Sequence, residues 1–136
     1  MLRLMTTRPR EVNWAIFLML VALAIGPTTT AIDWEHLKSL GPIQGLVMIK
    51  MFSLLLQCLF IWKASQGENW ARISLLVIFL VSIPYHFFNL RAEVDRSIML
   101  AFLSVAHALL QGAGLLVTFQ APAKHWFKNP ANVLNS

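Results

Sequence analysis

The spacing of charged residues constrains this chain more than any other feature of its sequence. Residues 12–32, 73–90 and 97–123 carry no charge, and residues 39–62 carry only Lys50. These four stretches are 21, 18, 27 and 24 residues long, and about 20 apolar residues in a helix cross a hydrocarbon core about 30 Å thick. An ionised side chain at the bilayer centre costs about 2.5 to 3.5 kcal/mol on insertion scales. The charge pattern therefore predicts four transmembrane helices.

The composition agrees with a membrane protein. Of the 136 residues, 57% are hydrophobic and 12% are charged, whereas about a quarter of a soluble domain is charged. We predict an all-α membrane protein, a single integral domain over residues 1–136, folded as an up-down bundle of four transmembrane helices with the N- and C-termini cytoplasmic. The predicted spans are approximately 12–32, 40–62, 71–89 and 98–120, the outer loops are 33–39 and 90–97, the inner loop is 63–70, and the cytoplasmic tail is 121–136.

Tryptophan positions provide an independent indication of where the spans end, because tryptophan prefers the membrane–water interface. None of the five tryptophans lies in the middle of a predicted span. We interpret all of them as interface anchors: Trp14, Trp34, Trp62, Trp70 and Trp126.

Lysine and arginine counts in the short loops predict the orientation. With the N-terminus inside, the cytoplasmic side has seven basic residues and the opposite side has three: Arg3, Arg8, Arg10, Lys63, Arg72, Lys124 and Lys128 against Lys38, Arg91 and Arg96. The pI of 10.0 is then explained by contact with anionic lipid headgroups at the cytoplasmic face, and no nucleic acid partner is expected.

The first apolar run, two prolines and the single cysteine further restrict the predicted fold and chemistry. A cleaved signal peptide is an alternative for the first span, but Trp14, Phe17 and the uncharged length favour a retained helix. Pro27 is expected to end or kink the first helix and Pro84 to kink the third. The single cysteine, Cys58, excludes an internal disulfide and a cysteine-based zinc site. We expect no metal and no cofactor.

Three short patches resemble a group of small bacterial inner-membrane proteins with four predicted spans. The patches lie at residues 8–10 (RPR), 67–72 (GENWAR) and 122–127 (PAKHWF). The resemblance implies a four-span protein of the bacterial cytoplasmic membrane, and it transfers no catalytic residue.

Polar side chains follow one face of the second and of the fourth span. Each set is spaced i, i+3, i+7, which places its members on one side of a helix. Because lipid cannot satisfy polar groups, we expect both stripes to turn inward, with the second and fourth helices sharing a polar seam. The candidate seam or ligand contact consists of Lys50, Ser53, Gln57, Ser104, His107 and Gln111.

Lys50 is the basic residue that most needs an explanation, because it alone lies far from both ends of its span. It could snorkel outward, be held by Gln111, Ser104 and carbonyls freed near Pro84, or meet an anionic lipid, substrate or partner. His86 and His107 raise the possibility of a b-type haem. Counting residues from the span ends puts His86 about 6 Å further out than His107, so we favour an interfacial His86 beside Tyr85.

Small residues at i, i+4, i+8 form a candidate helix-packing ridge on the fourth span, namely Ser104, Ala108 and Gly112, with Gly114 nearby. The ridge could serve packing within the bundle or contact with another chain.

No nucleophile with a base, carboxylate pair, metal-spaced cluster or phosphate loop is present in the sequence, so catalysis is not expected. The first hypothesis is a small bacterial inner-membrane accessory or interaction protein that binds a membrane partner or its own copies through helix faces. The alternative is an oligomeric channel or transporter for a small anionic or neutral solute, lined by Lys50, Gln57, His107 and Gln111. A second alternative is a membrane immunity protein against a toxin.

Overall fold

A computed structural model describes residues 8–128 of the chain. The described part is entirely helical apart from its turns and contains no strand. Four of its helices are long and apolar enough to cross a membrane. The elements are α1 (Arg10–Ile32), α2 (Trp34–Ser39), α3 (Ile43–Ser65), α4 (Asn69–Arg96), α5 (Ile98–Phe119) and α6 (Ala123–Phe127). The predicted all-α class with four membrane-length helices is confirmed; the side of the membrane on which the termini lie stays a prediction.

The long helices form a four-membered ring. The α1 helix packs against α3 and α5, and α4 packs against the same two helices, so α3 and α5 are diagonal neighbours. The α1–α5 contact is the most extensive of the four. It is close because Gly114 of α5 faces the backbone of α1: a Cβ atom at Gly114 would lie 3.0 Å from the Ala15 carbonyl oxygen. Small residues allow such close helix approach.

The buried apolar side chains concentrate at one end of the bundle, where the first turns of α1 and the short helix α6 lie. We call this end the α6 half and the opposite end the α2 half. The cluster consists of Val12, Ala15, Ile16, Met19, Leu23, Ile61, Ala64, Ala71, Leu75, Leu115, Ala123 and Phe127. All of these except Leu23, which lies at mid-bundle, belong to the α6 half.

Two connections follow from local chemistry. After α3, Gly67 adopts a φ of 92°, which glycine tolerates without strain. This allows the amide of Gly67 to donate a hydrogen bond to the Ala64 carbonyl (3.0 Å) and the amide of Glu68 to donate one to the Lys63 carbonyl (3.2 Å). These two hydrogen bonds form a Schellman motif. The predicted inner loop 63–70 is therefore a tight turn of Gln66, Gly67 and Glu68 between α3 and α4.

The helix ends in the α2 half differ most from those that the sequence predicts. The helix α4 continues to Arg96, so only Ser97 separates it from α5, where the sequence predicted a loop over 90–97. A run of charges marks where a helix leaves the hydrocarbon, and it does not by itself end the helix. Likewise, α1 continues through Pro27 to Ile32, and α4 continues through Pro84. Most of the predicted outer loop 33–39 forms the helix α2.

Candidate functional site

The α2 half contains a cleft of about 730 Å³, within the range of small-molecule sites. We call it the central cleft. Eight residues between 23 and 32 of α1 form one wall, and six residues between 47 and 57 of α3 form the other. His86 of α4 and Ser104 and His107 of α5 form its floor, and Trp34 and Glu35 of α2 lie at its rim.

The cleft brings together five of the six side chains in the two polar stripes: Lys50, Ser53, Gln57, Ser104 and His107. The expected direct seam between the second and fourth helices does not form, because α3 and α5 are diagonal in the ring and face each other across the cleft. The close packing of α1 on α5 explains the difference, since α1 occupies the side of α5 that a direct α3 contact would need.

Gln111 does not line the cleft. Its side chain is buried, with 4% of its surface exposed, and its Oε1 atom has no hydrogen-bond partner within the described chain. It lies one α-helical turn beyond His107 toward the α6 half. As the last residue of its polar stripe, Gln111 therefore lies in the packed α6 half, away from the five stripe residues that line the cleft.

His107 has a defined hydrogen-bond partner. Its Nδ1 atom lies 2.7 Å from the carbonyl oxygen of Ala22 in α1. Because a carbonyl oxygen can only accept, Nδ1 carries the hydrogen and donates it, which leaves Nε2 as the free nitrogen of the ring. The neutral ring then presents a lone pair at Nε2, and the protonated ring presents a second donor.

His86 lies beside His107, with 5.8 Å between the two ring centroids. The two rings are therefore neighbours in the bundle, and the expected difference in depth stays a prediction. Side chains in a helix tilt toward its N-terminus, and α4 and α5 run in opposite directions, which allows the two imidazoles to approach each other. His86 also contacts Tyr85, with centroids 5.9 Å apart. Its Nδ1 atom is buried and makes no hydrogen bond within residues 8–128.

Lys50 makes no hydrogen bond or ion pair with any described residue. Its side chain is exposed and lines the central cleft. Its neighbour Gln57 donates to Ser53 Oγ at 3.3 Å. The internal partners considered for Lys50, Ser104 and Gln111, do not hold it, and the cation remains available to an anion in the cleft.

A second cavity of about 340 Å³ adjoins the cleft toward the α2 end. This polar chamber shares Thr29, Thr30, Lys50, His86 and Ser104 with the cleft. Asp33 and Arg96 close one side of it through an ion pair of 3.3 Å. Glu93 also lines it, and the Oε2 atom of Glu93 is buried without a hydrogen-bond partner in the described chain.

Sequence reasoning missed Glu93, because the third span was expected to end at residue 89. The signal was available: Glu93 follows His86 by seven residues, which puts both on the same face of a helix that continues past 89. Lys50 and Glu93 line the same chamber, and the described residues show no ion pair between them.

The small-residue ridge is used inside the bundle. A Cβ atom at Gly112 would lie 3.0 Å from the ring of Phe79 in α4, and Gly114 faces α1. Ser104 lines the cleft, and Ala108 is half-buried. The glycines therefore allow α1 and α4 to approach α5, which favours packing within the bundle over contact with another chain.

The α6 half contains a buried cation, Arg72, which the sequence predicts only as one of the basic residues at the cytoplasmic side. Arg72 is 4% exposed and donates to the Thr118 carbonyl and to Asn69 Oδ1, both at 2.7 Å. Its guanidinium carbon lies 4.5 Å from the ring centroid of Phe119 and 4.7 Å from that of Phe127. Arg72 thus joins α4, α5 and α6 and closes this end of the bundle.

The tryptophans lie near both ends of the long helices. Trp14, Trp62, Trp70 and Trp126 are in the α6 half, and Trp34 is in the α2 half. Trp14, Trp34, Trp62 and Trp70 expose 40 to 63% of their surface, as side chains at an interface would. In the described residues, no group of three or more His, Cys, Asp or Glu side chains could hold a metal ion.

No protein-family model matches this chain, and no significant match was found among curated proteins or solved structures.

Proposed function

We propose that this chain is a membrane-embedded binding protein that holds an anionic ligand in the central cleft. The observation that carries the proposal is the convergence of Lys50, His86 and His107 on one cavity of about 730 Å³. A cation inside a membrane-length helix is costly unless something offsets its charge. Lys50 has no such partner among the described residues, so an anion in the cleft would stabilise it.

The packing favours a binding protein over a pore formed by one chain. The α6 half is filled by large buried side chains, among them Met19, Leu75 and Leu115, and Arg72 joins three helices there. A ligand in the cleft would therefore have access from the α2 half only. A channel would need a path between chains, and Gly112 of the ridge and the nearby Gly114 already contact α4 and α1 inside the bundle.

We further propose that the protein acts as an accessory component of a bacterial cytoplasmic membrane, with both termini inside. The basic residues at the α6 end outnumber those at the α2 end, which is the expected bias for a cytoplasmic α6 end. Alkaline phosphatase and green fluorescent protein fused to the C-terminus would test the orientation. Fluorescence without phosphatase activity is expected, and the opposite pattern would overturn the orientation.

The binding function can be tested by native mass spectrometry of the protein released from its membranes. The wild type should carry a bound anionic species, and Lys50→Met should lose it. Lys63→Met is the matched control, because Lys63 is on the same helix at the α6 end, over the ring of Trp62 at 5.1 Å. This variant should retain the species. Equal occupancy in the wild type and in Lys50→Met would overturn the proposal.

A further inference from the structure

We infer that the ligand of the central cleft is a single-tailed amphiphile with a carboxylate head, which enters from the bilayer. The inference rests on the proposed binding function and adds the chemical class of the ligand. It depends on the different chemistry of the two sides of the cleft, on its opening, and on the charges around it.

The α1 wall presents an apolar surface. Leu23, Ile25, Ala31 and Ile32 line it. The wall also contains two threonines, and both of their hydroxyls donate to the Gly26 carbonyl, at 2.8 and 3.0 Å. These hydroxyls are thereby engaged with their own helix, and the wall offers no free side-chain donor. Such a surface suits a hydrocarbon tail.

The opposite side presents polar groups that suit a carboxylate. The amine of Lys50 can donate up to three hydrogen bonds. The free Nε2 atom of His107 can accept a hydrogen bond from a carboxylic acid or, when protonated, donate to a carboxylate. One carboxyl group offers an oxygen to each of these two groups. A carboxyl group can share a proton with an imidazole. The floor of the cleft can therefore bind the ligand's carboxyl group in its neutral or its ionised form.

The opening of the cleft indicates where the ligand comes from. Lys50 and Ser53 are exposed, and the exposed residues beside them on α3 include Met51 and Leu55. Lys50 lies seven residues into α3, or about 10 Å from its start. The exposed cleft residues on α3 are therefore flanked by apolar surface of a membrane-length helix, which a lipid-soluble molecule reaches more easily than a hydrophilic one.

The acidic residues near the cleft do not neutralise Lys50. Glu35 at the rim pairs with Lys38 at 2.7 Å, and Asp33 pairs with Arg96 at 3.3 Å. Glu93 is the remaining acidic side chain that lines either cavity, and it has no ion-pair partner among the described residues. The negative charge of Glu93 in the adjoining chamber would repel a ligand carboxylate in the cleft, so removal of this charge should strengthen binding.

Trp34 offers a local reporter, because it is the one tryptophan that lines the described cleft. Bromine quenches tryptophan fluorescence on contact, so a hexadecanoate with bromine on its chain can be titrated into the protein in nanodiscs. Saturable quenching is expected, and it should be lost in Trp34→Phe, which corrects for quenching of the other tryptophans through lipid. Unlabelled hexadecanoate, hexadecanol and acetate serve as competitors.

Hexadecanoate should compete at a concentration about tenfold lower than hexadecanol, because a charge-assisted hydrogen bond is lost in the alcohol. Acetate should not compete at comparable concentrations. Lys50→Met and Lys50→Gln should each weaken binding about tenfold, Lys63→Met should leave it unchanged, and Glu93→Gln should tighten it severalfold. The Glu93 variant keeps the test decisive if a Lys50 variant does not fold.

The outcomes separate this inference from the binding function. Competition by acetate as strong as that by hexadecanoate would overturn the tail and leave anion binding intact. Equal competition by hexadecanol, with no effect of Lys50→Met, would overturn the carboxylate head together with the proposed anion site. Absence of saturable Trp34 quenching would overturn the amphiphile, whereas the mass spectrometric experiment would still decide whether another anion binds.

Discussion

The two halves of the bundle use the same four helices in different ways. In the α6 half, large apolar side chains such as Met19 and Leu75 are fully buried. Toward the α2 half, the same helices separate around a cleft and a chamber lined by Lys50, His86 and His107. Both halves contain a basic residue within a long helix. Arg72 in the α6 half has four partners, and Lys50 has none among the described residues.

This difference indicates how the molecule divides stability from binding. Arg72 is fixed by hydrogen bonds and aromatic rings, so its charge contributes to holding helices together. Lys50 makes no hydrogen bond or ion pair with the described residues, so its charge is available to a ligand. A rigid, packed region that supports a less packed binding region is a common arrangement, because binding surfaces come from the less stable parts of a protein.

The largest expected effect is the loss of the Arg72 contacts. Arg72→Met should lower the free energy of unfolding by about 3 kcal/mol, because it removes two hydrogen bonds to a charged group and leaves the Thr118 carbonyl without its donor. The measurement is reversible unfolding by SDS in mixed micelles. Arg91→Met is the matched control on the same helix: Arg91 is exposed and makes no hydrogen bond or ion pair with the described residues. Similar losses in both variants would contradict the assigned role.

The next effect tests the close contact between α1 and α5. Gly114→Ala should cost about 2 kcal/mol, since its Cβ atom would lie 2.8 Å from Met19 Cγ and 3.0 Å from the Ala15 carbonyl oxygen. Gly112→Ala should cost less, because its nearest neighbour is the far end of the Phe79 ring. Gly45→Ala in the α2 half is the control, with nothing within 4 Å. The same SDS titration applies, and a Gly114→Ala variant as stable as Gly45→Ala would break the comparison.

A smaller effect of opposite sign concerns Gln111. Gln111→Leu should raise the free energy of unfolding by about 1 kcal/mol, because it replaces a buried amide whose Oε1 has no partner in the described chain. It should leave ligand binding unchanged. Gln57→Leu is the control in the cleft, where the side chain is only half-buried, and it should leave stability nearly unchanged. A loss of ligand binding in Gln111→Leu would show that Gln111 contributes to the binding site, and would contradict its assignment to the packed region.

The sequence predicted the helices well and their arrangement less well. Long uncharged stretches predict membrane-length helices, because the cost of a buried charge acts locally. The i, i+3, i+7 spacing correctly puts Lys50 with Ser53 and Gln57 on one face. Which helices become neighbours depends on close approaches such as that of Gly114 to Ala15, and a single sequence does not encode these in its periodicity.

The missed residues illustrate the same limit. The sequence does not reveal the structural role of Arg72, because its partners Thr118, Phe119 and Phe127 are more than 40 positions away. Counting residues along α4 and α5 gives the depth of the His86 and His107 Cα atoms only, whereas the contact between their rings, 5.8 Å apart, also depends on the direction of the side chains. The residues that come together at the site are therefore determined by contacts between distant parts of the chain and by the directions of side chains.

The smallest expected effect concerns the ion pair at the edge of the polar chamber. Asp33 and Arg96 are 3.3 Å apart and partly exposed, so their coupling should be below about 1 kcal/mol. A double-mutant cycle with Asp33→Asn and Arg96→Gln measures it. The pair joins the end of α1 to the end of α4, and its loss should increase access to the chamber without unfolding the α6 half. Accessibility of a cysteine introduced at Ser104, in a Cys58→Ser background, should therefore rise severalfold in either single variant. A coupling as large as the Arg72 effect would mean that the α2 half is held as firmly as the α6 half, and the division of the bundle into a packed and a binding region would not stand.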